Sequence, residues 1–238
     1  MRIEELTWDE FEKLSKTVKT AVIPISPIEQ HGKHLPIGSD FMRSQFLAEK
    51  INKKENIFLF PPIPIGMVNK GKYFPGTFTV RGSVITNLIY DICESFARAG
   101  IKRIIILTAH NSSKHKNCIE KGLRKFERKF KIDTYYIANS YGSLKVEGKV
   151  IETENDQHAG EAETSEFLYY NKKLVQMKKA KKEFPDVKAI KKNKKQVRKY
   201  WKTGVFGDAT KASLEKGKKL VYAQLKFLRK LINKEFLN

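Results

Sequence analysis

The chain has 238 residues, 40% of them hydrophobic and 31% charged, a balance that suits a soluble globular fold with a sizeable core. No apolar run reaches the roughly 18 residues of a membrane span. Two cysteines, Cys93 and Cys118, cannot build a disulfide framework. The acidic start, Met-Arg-Ile-Glu-Glu-Leu-Thr-Trp-Asp-Glu, lacks an apolar leader core, so a cytoplasmic location is expected. The formal charge of +21 is uneven: between Lys172 and Lys202 there are 14 Lys and Arg against Glu183 and Asp186. That stripe reads as a solvated, Lys-rich helical surface rather than a nucleic-acid interface, because it offers only Phe184, Tyr200 and Trp201 for stacking on bases.

Thr7 and Glu10 have capping-box spacing and open a first helix to about Lys16. Ala21 to Ser26 is a short buried strand, and the turn-rich loop after it carries Glu29, His31, His34 and Asp40. Helical spacing follows over Phe41–Lys53, then a strand over Ile57–Pro61, a Pro/Gly-rich link, and the loop ending in Phe74-Pro75-Gly76-Thr77. Phe78–Val80 reads as a short strand or extended link. Ser83 caps a helix that Gly100 ends. The Ile-rich run Arg103–Thr108 is a buried strand leading straight into His110 and a helix to about Phe130, and Asp133–Ala138 is a further strand. An irregular stretch with Gly142 and Gly148 precedes His158-Ala159-Gly160-Glu161-Ala162-Glu163-Thr164-Ser165, which leads into a helix ending near Tyr170. After the basic stripe, Gly204–Asp208 is a loop and about Thr210–Phe236 a last amphipathic helix.

Repeated strand–loop–helix order predicts an α/β fold: a single-domain, three-layer sandwich over 1–238, its mostly parallel sheet covered by helices on both faces. Functional loops of such sheets lie at the carboxyl ends of the strands, so the Glu29/His31 loop and His110 are expected to converge. Glu29 and His31, two apart, point to one side of an extended backbone. With Asp40 shortly after, they form a candidate first shell for a divalent cation. A loop of solvated acids and histidines is the other reading of that segment taken alone. His34 is expected to bond backbone within its own loop, and His115 to lie on the surface of a Lys-rich helix.

Taken together, these motifs resemble the creatininase (creatinine amidohydrolase) family. They are Glu29-Gln30-His31-Gly32 with His34-Leu35-Pro36 and Asp40, Phe74–Thr77, His110 after a strand, His158–Ser165, and Gly204–Asp208 before a helix holding Glu215-Lys216-Gly217. The resemblance implies a creatininase-like fold that hydrolyses a C–N bond with one or two divalent ions, Zn, Fe or Mn. Its metal residues fall on Glu29, His31, Asp40 and His110, with Asp40 bridging two ions if the site is binuclear. His158 is the expected proton shuttle. Glu163 completes the metal site or acts in catalysis beside it, and Glu161 is a weaker candidate for that role.

Two departures bear on substrate. The enzyme that names the family has a carboxylate two residues after the histidine matching His110, where this chain has Ser112. It also has tryptophans just before the histidine matching His158, where this chain has Glu154 and keeps only Trp8 and Trp201 elsewhere. Both argue against creatinine. Other branches act on a formamidopyrimidine nucleotide in flavin and deazaflavin synthesis, or trim a cofactor-precursor peptide. The positive charge suits a small-molecule substrate that carries phosphate. The resemblance also implies a homo-oligomer, a hexamer by analogy. A non-catalytic nucleic-acid-binding or scaffold protein is the alternative of another class.

Overall fold

Alternation within the Ile-rich run decides the layering. The computed structural model describes residues 1–138 and 146–233. In it β1 (Thr20–Pro24), β2 (Phe58–Leu59), β3 (Arg103–Thr108) and β4 (Asp133–Ala138) form a parallel sheet in the order β2-β1-β3-β4. The register places Ala21 beside Phe58 and Ile104, and Ile104 beside Thr134. Every residue of β3 is buried. Ile104 and Ile106 face one layer and Ile105 and Leu107 the other, as the period of two requires.

The first layer is α1 (Trp8–Ser15), α3 (Gly82–Arg98) and α4 (Ser113–Glu127), which bring Phe11, Ile85, Ile89, Phe96, Ile119 and Phe126 against Ile104 and Ile106. The opposite layer is α2 (Ser39–Asn52) and the last helix, α8 (Leu214–Ile232), which pack Leu47, Ile51, Val221 and Leu228 on Ile105 and Leu107. Between them in sequence come α5 (Glu161–Asn171), the small antiparallel pair β5 (Lys182–Glu183) and β6 (Gly207–Asp208), and the short α6 (Val187–Lys192) and α7 (Val197–Tyr200). Helix α5 rests on α8 with very close backbones: a Cβ at Gly217 would sit 1.8 Å from the Ser165 carbonyl oxygen, so only glycine fits there.

The chain runs from β1 outward to β2, then returns to place β3 on the other side of β1. This reversal opens a crevice at the carboxyl ends of β1 and β3, the place where open α/β sheets bind ligands. Ser26 and Thr108 tie the two strand ends together: their hydroxyls lie 3.2 Å apart, and Ala109 N–H donates to Ser26 Oγ at 2.9 Å.

Several boundaries move from their expected places. The second strand shrinks to Phe58–Leu59, since Pro61 and Pro62 have no N–H to continue the ladder. Phe78–Val80 is an extended link, α3 starts at Gly82 after an extended Arg81, and α8 begins at Leu214 with Ser213 accepting from Lys216 N–H. Gly142 and the expected helix end at 234–236 lie outside the described residues. The Lys172–Lys202 stripe is not one helical surface. It is broken into short turns, β5, α6 and α7, and it turns Ile190, Val197 and Trp201 inward against Tyr73, Phe74 and Phe206. Its lysines stay on the outside because burial of an unpaired ammonium is costly.

Candidate metal centre

Asp40 stands at the centre. It lies in the first turn of α2, 1% exposed, where the helix N-terminus favours negative charge. Its Oδ1 is 3.2 Å from His31 Nε2 and its Oδ2 is 3.1 Å from His110 Nδ1. The loop after β1 supplies Glu29 and His31, and the residue pair after β3 supplies His110. Glu29 Oε2 meets His110 Nδ1 at 3.0 Å. Thus the predicted convergence of the two loops occurs, and it occurs on the two oxygens of one carboxylate.

Donor atoms collect into two groups, each within 4.8 Å: Glu29, Asp40 and His110 in one, His31, His158 and Glu163 in the other. Glu163, in the first turn of α5, places Oε2 3.6 Å from His31 Nε2. Protonation patterns say what belongs between these atoms. His31 Nδ1–H donates to the Glu29 carbonyl at 3.0 Å, so the Nε2 lone pair of the neutral ring faces carboxylate oxygens. Lone pair against carboxylate is repulsive unless a cation stands there. Glu29 Oε2 and His31 Nε2 are buried polar atoms without a hydrogen-bond partner. A divalent cation fits this donor set: it satisfies the orphaned atoms and suits mixed imidazole and carboxylate ligation.

The imidazole pKa values carry the same message. Burial pulls His31 down, but Asp40, Glu163 and Glu29 outweigh it and raise the pKa to about 9. At His110 burial is again overcome, by Glu29 and Asp40, and the value reaches about 10. Asp40 is held well below the usual carboxylate range, where the two imidazoles beside it outweigh the effect of burial. The site attracts positive charge, whether proton or metal.

His158 differs. Its backbone is clamped to Phe206 by hydrogen bonds of 3.1 and 2.7 Å, and its Nε2 lies 2.8 Å from the Gln30 carbonyl, to which it donates. In that tautomer the lone pair sits on Nδ1, while the Gln30 side-chain Nε2, 3.0 Å from the same ring nitrogen, would donate to it in the other tautomer. Burial and the neighbouring His31 lower its pKa below the ordinary histidine value. Gln30 is fixed in turn: Gly32 N–H donates to Oε1 at 3.0 Å, and Nε2 donates to the Gly204 carbonyl at 3.1 Å. Gly204 has φ +80°, and a Cβ there would lie 2.0 Å from Gln30 Oε1.

Four expectations are corrected. His34 bonds not to its loop but to Thr164 on α5, at 2.8 Å from Nε2, and lies outside both donor groups. His115 is fully buried behind His110, rings 5.3 Å apart, with Nδ1 accepting from Met67 N–H; its helix turns that face inward. Glu161 is spent on Lys216, Thr153 and the Glu152 N–H, so it holds the Glu152–Thr153 turn and α8 rather than the site. Trp201, remote from His158 in sequence, packs its ring 5.4 Å from the His158 ring and supplies an aromatic wall that the residues before His158 lack. Glu154 is exposed, whereas Ser112 does line the cleft.

A cleft of about 540 Å³ opens over these groups. Lys70 and Lys114 line it as well, and burial together with nearby Lys191 pushes the Lys70 ammonium down. Arg43 escaped the sequence reading, and Gln30 entered it only as part of its motif, without a role. The signal for Arg43 was its i+3 spacing from Asp40, which sets it one turn along the same helix face.

Comparisons with known proteins bear on the family and the fold. The sequence profile of the creatininase family, described as creatinine amidohydrolase, matches residues 4–232. The creatinine amidohydrolase of Pseudomonas putida is 25% identical over 114 residues, 45% of this chain and 44% of that enzyme, so the aligned part spans less than half of its length. The mycofactocin precursor peptide peptidase of Mycobacterium tuberculosis (strain CDC 1551 / Oshkosh) is 23% identical over 232 residues, 90% of this chain and 84% of that protein. A solved structure titled creatininase Mn superposes with a TM-score of 0.85 over 99% of this chain and 98% of its own, at 21% identity. The chain belongs to the creatininase family.

Proposed function

We propose that residues 1–238 work as one metal-dependent amidohydrolase domain, cleaving a non-peptide C–N bond, a cyclic amide or formamide, in a small molecule. The observation that carries this reading is Asp40, which presents one oxygen to each of two imidazoles, His31 and His110. Glu29, Asp40 and His110 would hold one divalent ion, Zn, Fe or Mn. His31 and Glu163, with the other Asp40 oxygen, would hold a second. Bound there, the metal supplies Lewis-acid polarisation of the scissile carbonyl and activation of water. His158, neutral at pH 7, takes the proton of the attacking water on Nδ1 and delivers it to the leaving nitrogen. Gln30 keeps that lone pair aimed by holding Nε2–H.

A substrate bearing phosphate is supported by Lys70 and Lys114 at the cleft, and within the class a formamidopyrimidine nucleotide fits this rim. Creatinine is disfavoured by Ser112, although Trp201 restores one aromatic wall. The peptidase names among the relatives place peptides in the same substrate screen. A nucleic-acid-binding role has less support, since Trp201 is 5% exposed and Tyr200 packs with it, leaving Phe184 to stack on bases. No helix of the described residues is long and apolar enough to cross a membrane, and two free cysteines suit a reducing cytoplasm. A homo-oligomer, a hexamer by family analogy, is supported by the exposure of Trp8 and Phe78.

Metal content and hydrolysis, measured on the same preparations, test the reading. His31→Ala and His110→Ala should each lose metal and activity together. His158→Ala should keep its metal and slow by about 10²–10⁴-fold. Loss of metal in His158→Ala would overturn the shuttle assignment, and hydrolysis that persists without any divalent ion would overturn the mechanism.

A further inference from the structure

Arg43, one turn past Asp40 on α2, is 4% exposed, and its guanidinium is surrounded by carboxylates. Nε and Nη2 donate to Glu166 Oε2 at 2.9 and 2.6 Å. Nη1 donates to Glu163 Oε1 at 2.7 Å and lies 3.4 Å from Asp40 Oδ1. Gln224 of α8 completes the cluster, donating from Nε2 to Glu166 Oε1 at 2.6 Å. The cluster thus joins α2, α5 and α8.

A clamp between helices needs only the Glu166 half of this arrangement. Buried ion pairs add little net stability, because desolvation offsets most of the attraction. The bond from Nη1 to Glu163 does something the clamp does not require. It occupies Oε1, while Ala159 N–H donates to Oε2 at 2.7 Å. A carboxylate bonded at both oxygens cannot rotate, and Oε2 is the oxygen set 3.6 Å from His31 Nε2. Ala159 itself has φ +49°, a conformation that L residues adopt at a cost of order 1 kcal/mol, and it turns this N–H toward Glu163.

We propose that Arg43 is a positioning residue for the second ion position: it locks Glu163 so that Oε2 alone faces His31, without itself touching the ion. The inference rests on the metal reading above, and the experiment separates the two. Stripped wild-type protein is titrated with Zn²⁺ in competition with a chromogenic chelator, and two ions are expected per chain. Arg43→Lys keeps the charge and loses the fork; the first ion should bind as before and the second about ten- to a hundredfold more weakly. Glu166→Gln breaks the clamp but leaves Nη1 on Glu163, so both ions should stay. Should Arg43→Lys not fold, the R43M/E166M pair removes both charges together, leaves the net charge of the site unchanged, and should show the same loss at the second position. A second ion bound as tightly in these variants as in wild type, or weakened equally by Glu166→Gln, would overturn the role of Arg43. Wild type that binds no zinc would instead overturn the metal reading.

Discussion

Loading metal should expel protons, and the structure says how many. In the metal-free protein His31 and His110 have pKa values of about 9 and about 10, raised by the carboxylates around them. At pH 7 each ring is therefore ~99% protonated or more. Ligation needs the neutral ring, so each ion must displace about one proton. Two ions should release about two protons per chain at pH 7. Apparent zinc affinity at each position should rise close to tenfold per pH unit between about pH 6 and 8, then flatten as pH passes 9 and 10. Calorimetric titration in two buffers of different ionisation enthalpy counts the protons, and chelator competition across pH gives the slope. Release of no protons, with affinity flat from pH 6 to 8, would mean that the imidazoles are already neutral and that carboxylate pressure on them is not what shapes the site.

The same pKa values fix a stability trend. Both folded-state values exceed the 6.5 of an unfolded histidine, so protonation of these rings stabilises the metal-free fold. That contribution is complete below about pH 6.5 and is lost as pH rises through 9 and 10, so metal-free protein should melt lower at pH 9.5 than at pH 7, and zinc should reverse the order. Gly204→Ala sets a Cβ 2.0 Å from Gln30 Oε1 at a positive φ. It should cost about 1–2 kcal/mol and lower kcat roughly ten- to a hundredfold with zinc content unchanged; unaltered kcat would remove Gln30 from the account. Gly217→Ala, with its Cβ 1.8 Å from Ser165 O, should lower the denaturation midpoint by the equivalent of about 1–3 kcal/mol while spectroscopically measured zinc stoichiometry holds. Lys70→Glu and Lys114→Glu should raise KM about tenfold for a phosphate-bearing formamide and leave kcat alone, while a neutral analogue should be indifferent to both.

Much of this was legible in the residues. The repeated strand–loop–helix order led directly to the three layers, and the strand ends to the meeting of the Glu29/His31 loop with His110. What stayed hidden depends on packing between distant segments. His115 sits in a Lys-rich run whose composition suggests solvent, yet one face of that helix closes the back of His110. The basic stripe looks like a surface because its lysines outnumber Ile190, Val197 and Trp201, although Ile190 and Trp201 line the cleft and Val197 packs against them. Trp201 meets His158 across 43 residues of chain, beyond the reach of local spacing. Arg43 looks like any polar residue on α2 until Glu163 and Glu166 arrive from α5.

A crystal structure of zinc-loaded protein, with anomalous data collected at the zinc edge, tests the central claim most directly. It should show two peaks per chain on either side of the Asp40 carboxylate, one held by Glu29 and His110 and the other by His31 and Glu163. An empty crevice in zinc-soaked crystals, or zinc bound elsewhere with Asp40 making no contact, would contradict it.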